Sequence, residues 1–171
     1  MKKMAVVYWP AGGNTEEAAR KIYSLLGAGH VLVSLSDAAT LDFGEFDCII
    51  AGCATTGAET WQKSTSGNNW AKFFAANPGI PVSNKKVAVF GLGDQILYHN
   101  HFCDQIEYLR DEFVKRGAVV IGQWPVEGYR FEESRAVEDG HFMGLALDED
   151  NQPELTGKRI AEWVNQLKHE I

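Results

Sequence analysis

The feature that most constrains this chain is a four-residue apolar run, Val87-Ala88-Val89-Phe90, followed directly by Gly91-Leu92-Gly93-Asp94-Gln95. An apolar run without polar alternation predicts a strand covered on both faces, which is a parallel-sheet strand. The glycines that follow let the chain leave the sheet edge where only a small residue fits. Tyr98 stands in the loop beyond, and from His101 to Arg116 apolar residues recur at helical spacing: Phe102, Ile106, Leu109 and Phe113. The unit reads as a strand, a ligand-sized loop and a helix.

The same grammar repeats along the chain. A first strand is predicted over Lys3 to Tyr8, then a loop from Trp9 to Thr15, then a helix from Glu16 to Leu26 with Ala18, Ala19, Ile22, Leu25 and Leu26 facing inward. Gly27 and Gly29 stop it. Strands follow over Val31 to Leu35 and Phe46 to Ala51. A loop of about fifteen residues then runs from Gly52 to Asn68, long enough to be functional. A short helix covers Trp70 to Ala76. After the Val87 strand and its helix come a fifth strand, Ala118 to Gly122, a polar excursion from Trp124 to Asp139, and a second apolar strand from Phe142 to Leu147. Gly157 to Ile171 closes the chain as a helix with Ile160, Ala161, Val164 and Leu167 inward. Strands alternating with helices give an α/β protein with a parallel sheet covered on both faces. At 171 residues the chain is most simply one domain, residues 1–171. Alternation alone does not fix the strand order.

Three loops fall at the carboxyl ends of predicted strands, where doubly wound sheets bind ligands. In the first, Pro10, Ala11, Gly12, Gly13, Asn14 and Thr15 precede a helix amino terminus, whose unpaired N–H groups and positive dipole end suit a phosphate. An ordinary helix cap by Asn14 is the competing reading. The second loop carries Thr55, Thr56, Gly57 and Trp61, and the third carries Gly91, Leu92, Gly93, Asp94 and Tyr98. His99 and His101 are too poorly spaced, with no third ligand near, for a zinc site.

Composition narrows the classes further. A net charge of −7 argues against nucleic acid and anionic membrane as partners, because phosphate binding needs clustered cations. No apolar run reaches the ~18 residues of a membrane span, and the start is too quickly strand-like for a signal peptide. A cytoplasmic protein is expected. Cys48, Cys53 and Cys103 lack metal spacing and read as small buried hydrophobes. No catalytic triad, Walker motif or Cys-His nucleophile arrangement is present.

Phe90-Gly91-Leu92-Gly93-Asp94-Gln95, with Tyr98 and Phe102 beyond it, closely resembles the flavin-ring loop of flavodoxins, the small FMN-containing electron carriers. Gln123-Trp124-Pro125-Val126-Glu127-Gly128-Tyr129-Arg130-Phe131-Glu132-Glu133-Ser134, followed by Gly140 to Asn151, resembles the segment that distinguishes the long-chain type. The resemblance spans nearly the whole chain. It implies a flavodoxin-like doubly wound five-stranded parallel sheet in the order 2-1-3-4-5, with the excursion interrupting the fifth strand. It also implies FMN, phosphate on the first loop, and Tyr98 stacked on the outer ring face. Backbone of Leu92, Gly93 and Asp94, together with His101 and Cys103, would lie at the ring edge.

Two loops depart from the family pattern. In the first, Gly13-Asn14-Thr15-Glu16 matches, but Pro10 and Gly12 replace two hydroxyl residues. At about 0.5–1.5 kcal/mol per neutral hydrogen bond, and more towards a charged acceptor, that loss weakens phosphate affinity by roughly ten- to a hundredfold or more. In the second, Thr56 stands where the family places a stacking Trp; Trp61 either substitutes for it or packs on the protein's own surface. The Gly57-Ala58 peptide is the candidate for the backbone flip that meets the flavin N5–H.

The function implied is low-potential one-electron transfer on non-covalent FMN cycling between semiquinone and hydroquinone. The protein would be an electron-transfer protein rather than an enzyme, a monomer that docks transiently with reductase and acceptor proteins. Two alternatives stand beside it: a two-electron FMN-dependent reductase on the same fold, and a flavodoxin-like domain whose FMN binding is weakened or lost. A response-regulator reading fails, because Tyr8-Trp9-Pro10 occupies the place of its acidic cluster.

Overall fold

In the computed structural model, which describes residues 1–55 and 69–171, the apolar runs assemble side by side. Strands β1 (Met4–Tyr8), β2 (Val31–Ser34), β3 (Cys48–Ala54), β4 (Lys86–Leu92) and β5 (Val119–Ile121) form a sheet in the order β2-β1-β3-β4-β5. Every pairing along it is parallel, with Ala5 between Val31 and Ile49, and Ile49 in turn beside Val87. The expected order is the observed one. β1 is buried along its whole length and β2, at the sheet edge, is half-buried throughout.

Successive residues of a strand face opposite sides of its sheet, and β4 shows what covers each side. Phe90 meets Trp163 on the last helix, their ring centroids 6.5 Å apart. The next residue, Gly91, faces Ile106 on the other side, where a Cβ would lie 2.8 Å from that side chain. Helix α1 (Asn14–Leu26) packs beside α4 (Pro153–Glu170) on the Trp163 side. Helices α2 (Asn69–Ala76) and α3 (Gln105–Lys115) share the other, joined by a ring cluster of Trp70, Phe74 and Phe113. The sheet is therefore wound on both faces.

The fifth strand is split. The lower half of β4 pairs with β5, Lys86 opposite Val119 through Ala88 opposite Ile121. Its upper half pairs with a later strand, β9 (Leu145–Leu147), Phe90 opposite Leu145 through Leu92 opposite Leu147. Between the two the chain makes an excursion with its own antiparallel sheet: β6 (Trp124–Pro125), β7 (Val137–Glu138) and β8 (His141–Phe142), in the order β6-β8-β7. The apolar stretch expected as one strand from Phe142 to Leu147 thus serves two sheets. Phe142 closes the small sheet and Leu145 to Leu147 rejoin the large one.

Other boundaries shift for local reasons. α4 starts earlier than expected, at Pro153, because proline suits the first helical position. β4 runs on through Gly91 and Leu92, so the chain leaves the sheet at Gly93. Leu25 is a correction: it is 43% exposed, while Leu26, one position on, takes the core place. Ala161 likewise faces out, and its expected inward role belongs to the fully buried Trp163, whose indole N–H donates to the Gly122 carbonyl at 2.8 Å.

Candidate functional site

The loops after β1, β3 and β4 open at one edge of the sheet, the carboxyl edge, as the parallel registers require. The first is tied to β3 by the Trp9 N–H, which donates to the Gly52 carbonyl at 3.2 Å. Beyond Trp9, Ala11, Gly12, Gly13 and Asn14 are all exposed. Gly12 sits at φ +86°, a left-handed conformation that L side chains rarely adopt, and space around it and Gly13 is open. The N-cap of α1 is Gly13, and no side chain caps the helix. Asn14 lies inside the helix and is not its cap. The start of a thirteen-residue helix therefore has no side-chain cap, and a helix start of that kind suits an anion. Thr15, one residue further, is buried.

A pair of side chains that sequence reasoning missed borders this loop. The Tyr8 hydroxyl, at the end of β1, donates to the Glu16 carboxylate at 2.6 Å, and Arg20 stands 3.7 Å from the other carboxylate oxygen. The Tyr8 hydrogen bond holds Glu16 below the ordinary carboxylate range, with help from Arg20 and the Gly12 backbone. Burial and the same hydrogen bond raise Tyr8. The only signal available was a tyrosine at the last position of an otherwise aliphatic strand.

The second loop leaves β3 after Ala54, and the Thr55 hydroxyl points to the Leu92 carbonyl at 3.5 Å. Thr56, Gly57 and Trp61 lie outside the described residues. Trp70 is committed to the core: it is buried, and its indole N–H donates to the Gly52 carbonyl at 2.9 Å.

The third loop is held by its own hydrogen bonds. Gly93 N–H donates to the Leu147 carbonyl at 2.9 Å, which carries the chain one step past the sheet. The Asp94 carboxylate then accepts from Ile96 N–H at 3.0 Å, Leu97 N–H at 2.8 Å and the Asn151 amide at 2.8 Å. Burial pushes Asp94 upward, but those donors outweigh it and hold the group below its usual value. The Asp94 carbonyl accepts from Tyr98 N–H, and the Tyr98 carbonyl accepts from His101 N–H, both at 2.9 Å. Tyr98 is half-exposed, while Ile96 and Leu97 project into solvent. His101 pairs with Asp104 at 3.0 Å and His99 with Glu132 at 3.4 Å, so the two imidazoles have separate carboxylate partners.

Gly91, Leu92 and Cys103 lie beneath this loop, enclosed by protein. The Cys103 thiol donates to the Gly91 carbonyl at 3.6 Å and the Cys53 thiol to the Phe90 carbonyl at 3.4 Å. Burial pushes all three cysteines up, Cys48 to about 12. They are buried free thiols.

A doubly wound sheet with an uncapped helix start and a hydrogen-bonded loop at one carboxyl edge has the layout at which proteins of the α/β class bind ligands. Comparison with known proteins narrows this. The sequence profile of the family described as Flavodoxin matches residues 6–163. The flavodoxin of Synechocystis sp. is 39% identical over 170 residues, covering 98% of this chain and 97% of that protein. Flavodoxin 1 of Escherichia coli (strain K12) is 38% identical over 161 residues, 93% of this chain and 89% of its own. Among solved structures, Fusobacterium nucleatum flavodoxin bound to flavin mononucleotide superposes with a TM-score of 0.86 at 31% identity, covering 100% of this chain and 99% of that one. The chain belongs to the flavodoxin family, whose members are electron carriers rather than enzymes. No helix among the described residues is long and apolar enough to cross a membrane.

Proposed function

We propose that this chain carries single electrons on non-covalently bound FMN. The observation that supports it best is the pairing, at one sheet edge, of an uncapped α1 amino terminus with the ordered Gly93–Tyr98 loop. FMN supplies the electron-accepting ring; the protein binds it, orients it and sets which redox state is held more tightly. The residues present fit such a group. Backbone from Pro10 to Thr15 would hold the phosphate, with Gly12 and Gly13 leaving room for it and Asn14 adding a side-chain donor. Backbone of Leu92, Gly93 and Asp94 would meet the ring edge, with Tyr98 against one ring face and His101 beside it. Gly91 and Cys103 would support that loop from below.

A tenfold difference in affinity between adjacent redox states moves a one-electron potential by about 59 mV. The surrounding acidity of the chain, net −7, opposes an anionic reduced ligand and so favours low potentials. The same charge suits transient docking of basic redox partners at the exposed ring edge, where Ile96 and Leu97 provide apolar contact. In this reading the chain works as one domain, as a monomer, in the cytoplasm.

The test is the absorption spectrum of the purified protein, with and without added FMN, followed by stepwise reduction. Flavin absorbance at one equivalent and an accumulating one-electron form are expected. Direct passage to the two-electron form, with turnover of NADH or NADPH, would replace this reading with a reductase. Protein that binds no FMN would mean that the first loop has lost its ligand.

A further inference from the structure

Asp148 directly follows β9 and is fully buried. One carboxylate oxygen accepts from the Gln95 backbone N–H at 3.1 Å and the Gln95 side-chain amide at 2.8 Å. The other accepts from Asp150 N–H at 3.1 Å and Asn151 N–H at 3.0 Å, and the Asn151 side-chain amide reaches both oxygens at 2.9 and 3.1 Å. These partners are all neutral amides. A buried carboxyl group satisfied only by amides is a rigid arrangement, because each donor has one place to be.

The network converges on the ring-side loop from three directions. Gln95 is 1% exposed, so its side chain turns away from any ligand and into the protein. Its carbonyl oxygen accepts from Arg130 N–H, which belongs to the excursion between β5 and β9. Asn151 in turn donates to Asp94, the residue that caps Ile96 and Leu97. The loop is therefore fastened to the turn before α4 and to the excursion, and the Gln95 links to Asp148 are buried.

We propose that Asp148, acting through Gln95, is the positioning residue of the ring-binding loop, holding the backbone of Gly93 to Leu97 in its ligand-ready form before flavin arrives. The proposal rests on the FMN reading for its ligand and on the hydrogen-bond geometry for the preordering. Preorganisation tightens binding by removing the ordering cost from the binding step.

The test compares wild type with Gln95→Met, which keeps volume but cuts both side-chain links, and Asn151→Ala, which cuts the amide's links to Asp94 and Asp148. His30→Leu is the control; it removes the acceptor of Met4 N–H at the opposite edge of the sheet. Apoprotein of each is titrated with FMN and with riboflavin, and amide hydrogen exchange of residues 93–97 is followed in the flavin-free protein. Gln95→Met is expected to weaken both flavins by the same factor, about tenfold for two lost hydrogen bonds, and to expose the loop amides to exchange. Asn151→Ala shows the same pattern to a smaller degree. His30→Leu lowers the melting temperature and leaves both affinities unchanged. Unchanged affinities in Gln95→Met, or loss of FMN alone with riboflavin unaffected, overturns the proposal. If wild type binds neither flavin, the FMN reading fails, and the exchange data alone decide. Loop amides protected in wild type and released in the variants support preordering; equal exchange refutes it. Should Gln95→Met not fold, the exchange pattern of Asn151→Ala decides.

Discussion

At the scale of single residues, the proposed phosphate loop is one of two places where this chain departs from its family pattern. Glu16 places a carboxylate at the start of α1, fixed by Tyr8. A negative charge there opposes a phosphate and leaves a neutral ligand untouched, so Glu16→Gln should tighten FMN relative to riboflavin. The affinity ratio at low ionic strength checks this, and the gain should shrink as salt is added. Pro10 and Gly12 differ in what they allow. Pro10→Ser restores both a hydroxyl and an N–H and should strengthen FMN binding by about tenfold, read by titration. Gly12→Thr should give no such gain, because φ +86° strains a β-branched residue by about 1–2 kcal/mol. The sequence identified the missing hydroxyls but not this asymmetry, since a backbone angle leaves no mark when glycine is already in place. The thiols were legible as hydrophobes. With all three buried and raised, a thiol reagent should label none in the native protein and all three after unfolding.

At the scale of elements, periodicity carried most of the fold. β1, β3 and β4 were visible as unbroken apolar runs, and α1 and α3 as stripes whose inward members Ala18, Ile22, Ile106 and Phe113 are buried. Misreadings fell where two elements compete for one stretch. Phe142 and Leu145 are three residues apart and both fully buried, yet they belong to different sheets, and nothing in an apolar run says which sheet will claim it. Trp163 was passed over because a four-residue step from Ile160 lands on the buried Val164 and skips the position before it. The excursion has a core of its own: Phe142 meets Phe102, Tyr129 and Phe131 with centroids 5.0–5.9 Å away, and the Arg159 guanidinium lies 3.9 Å from the centre of the Tyr129 ring. Phe142→Ala should cost about 3–5 kcal/mol, measured by urea unfolding. The third loop was legible in its motif, whereas its fastening was not. Gln95 and Asp148 are 53 positions apart, and single-sequence patterns carry no signal at that range.

At the scale of the whole molecule, charge rather than fold governs encounters. With a net −7, association with a basic redox protein should slow as ionic strength rises from 0.01 to 0.15 M, where the screening length falls from about 30 to about 8 Å. Stopped-flow reduction of such a protein checks it, and a salt-independent rate would count against electrostatic steering. The split of the fifth strand has a consequence for the chain's architecture. Ile121 stands opposite Ala88 and Leu145 opposite Phe90, so the excursion departs and returns within a single rung of the ladder, the one beside Val89. Gly144 already fills that rung, close against the Val89 carbonyl. The sheet thus contains a splice point: joining Ile121 to Gly144 would leave every parallel pairing in register. What such a shortened chain would lose is the hand that Arg130 lends to Gln95, which makes the excursion an addition to the loop's support rather than to the barrelless frame that carries it.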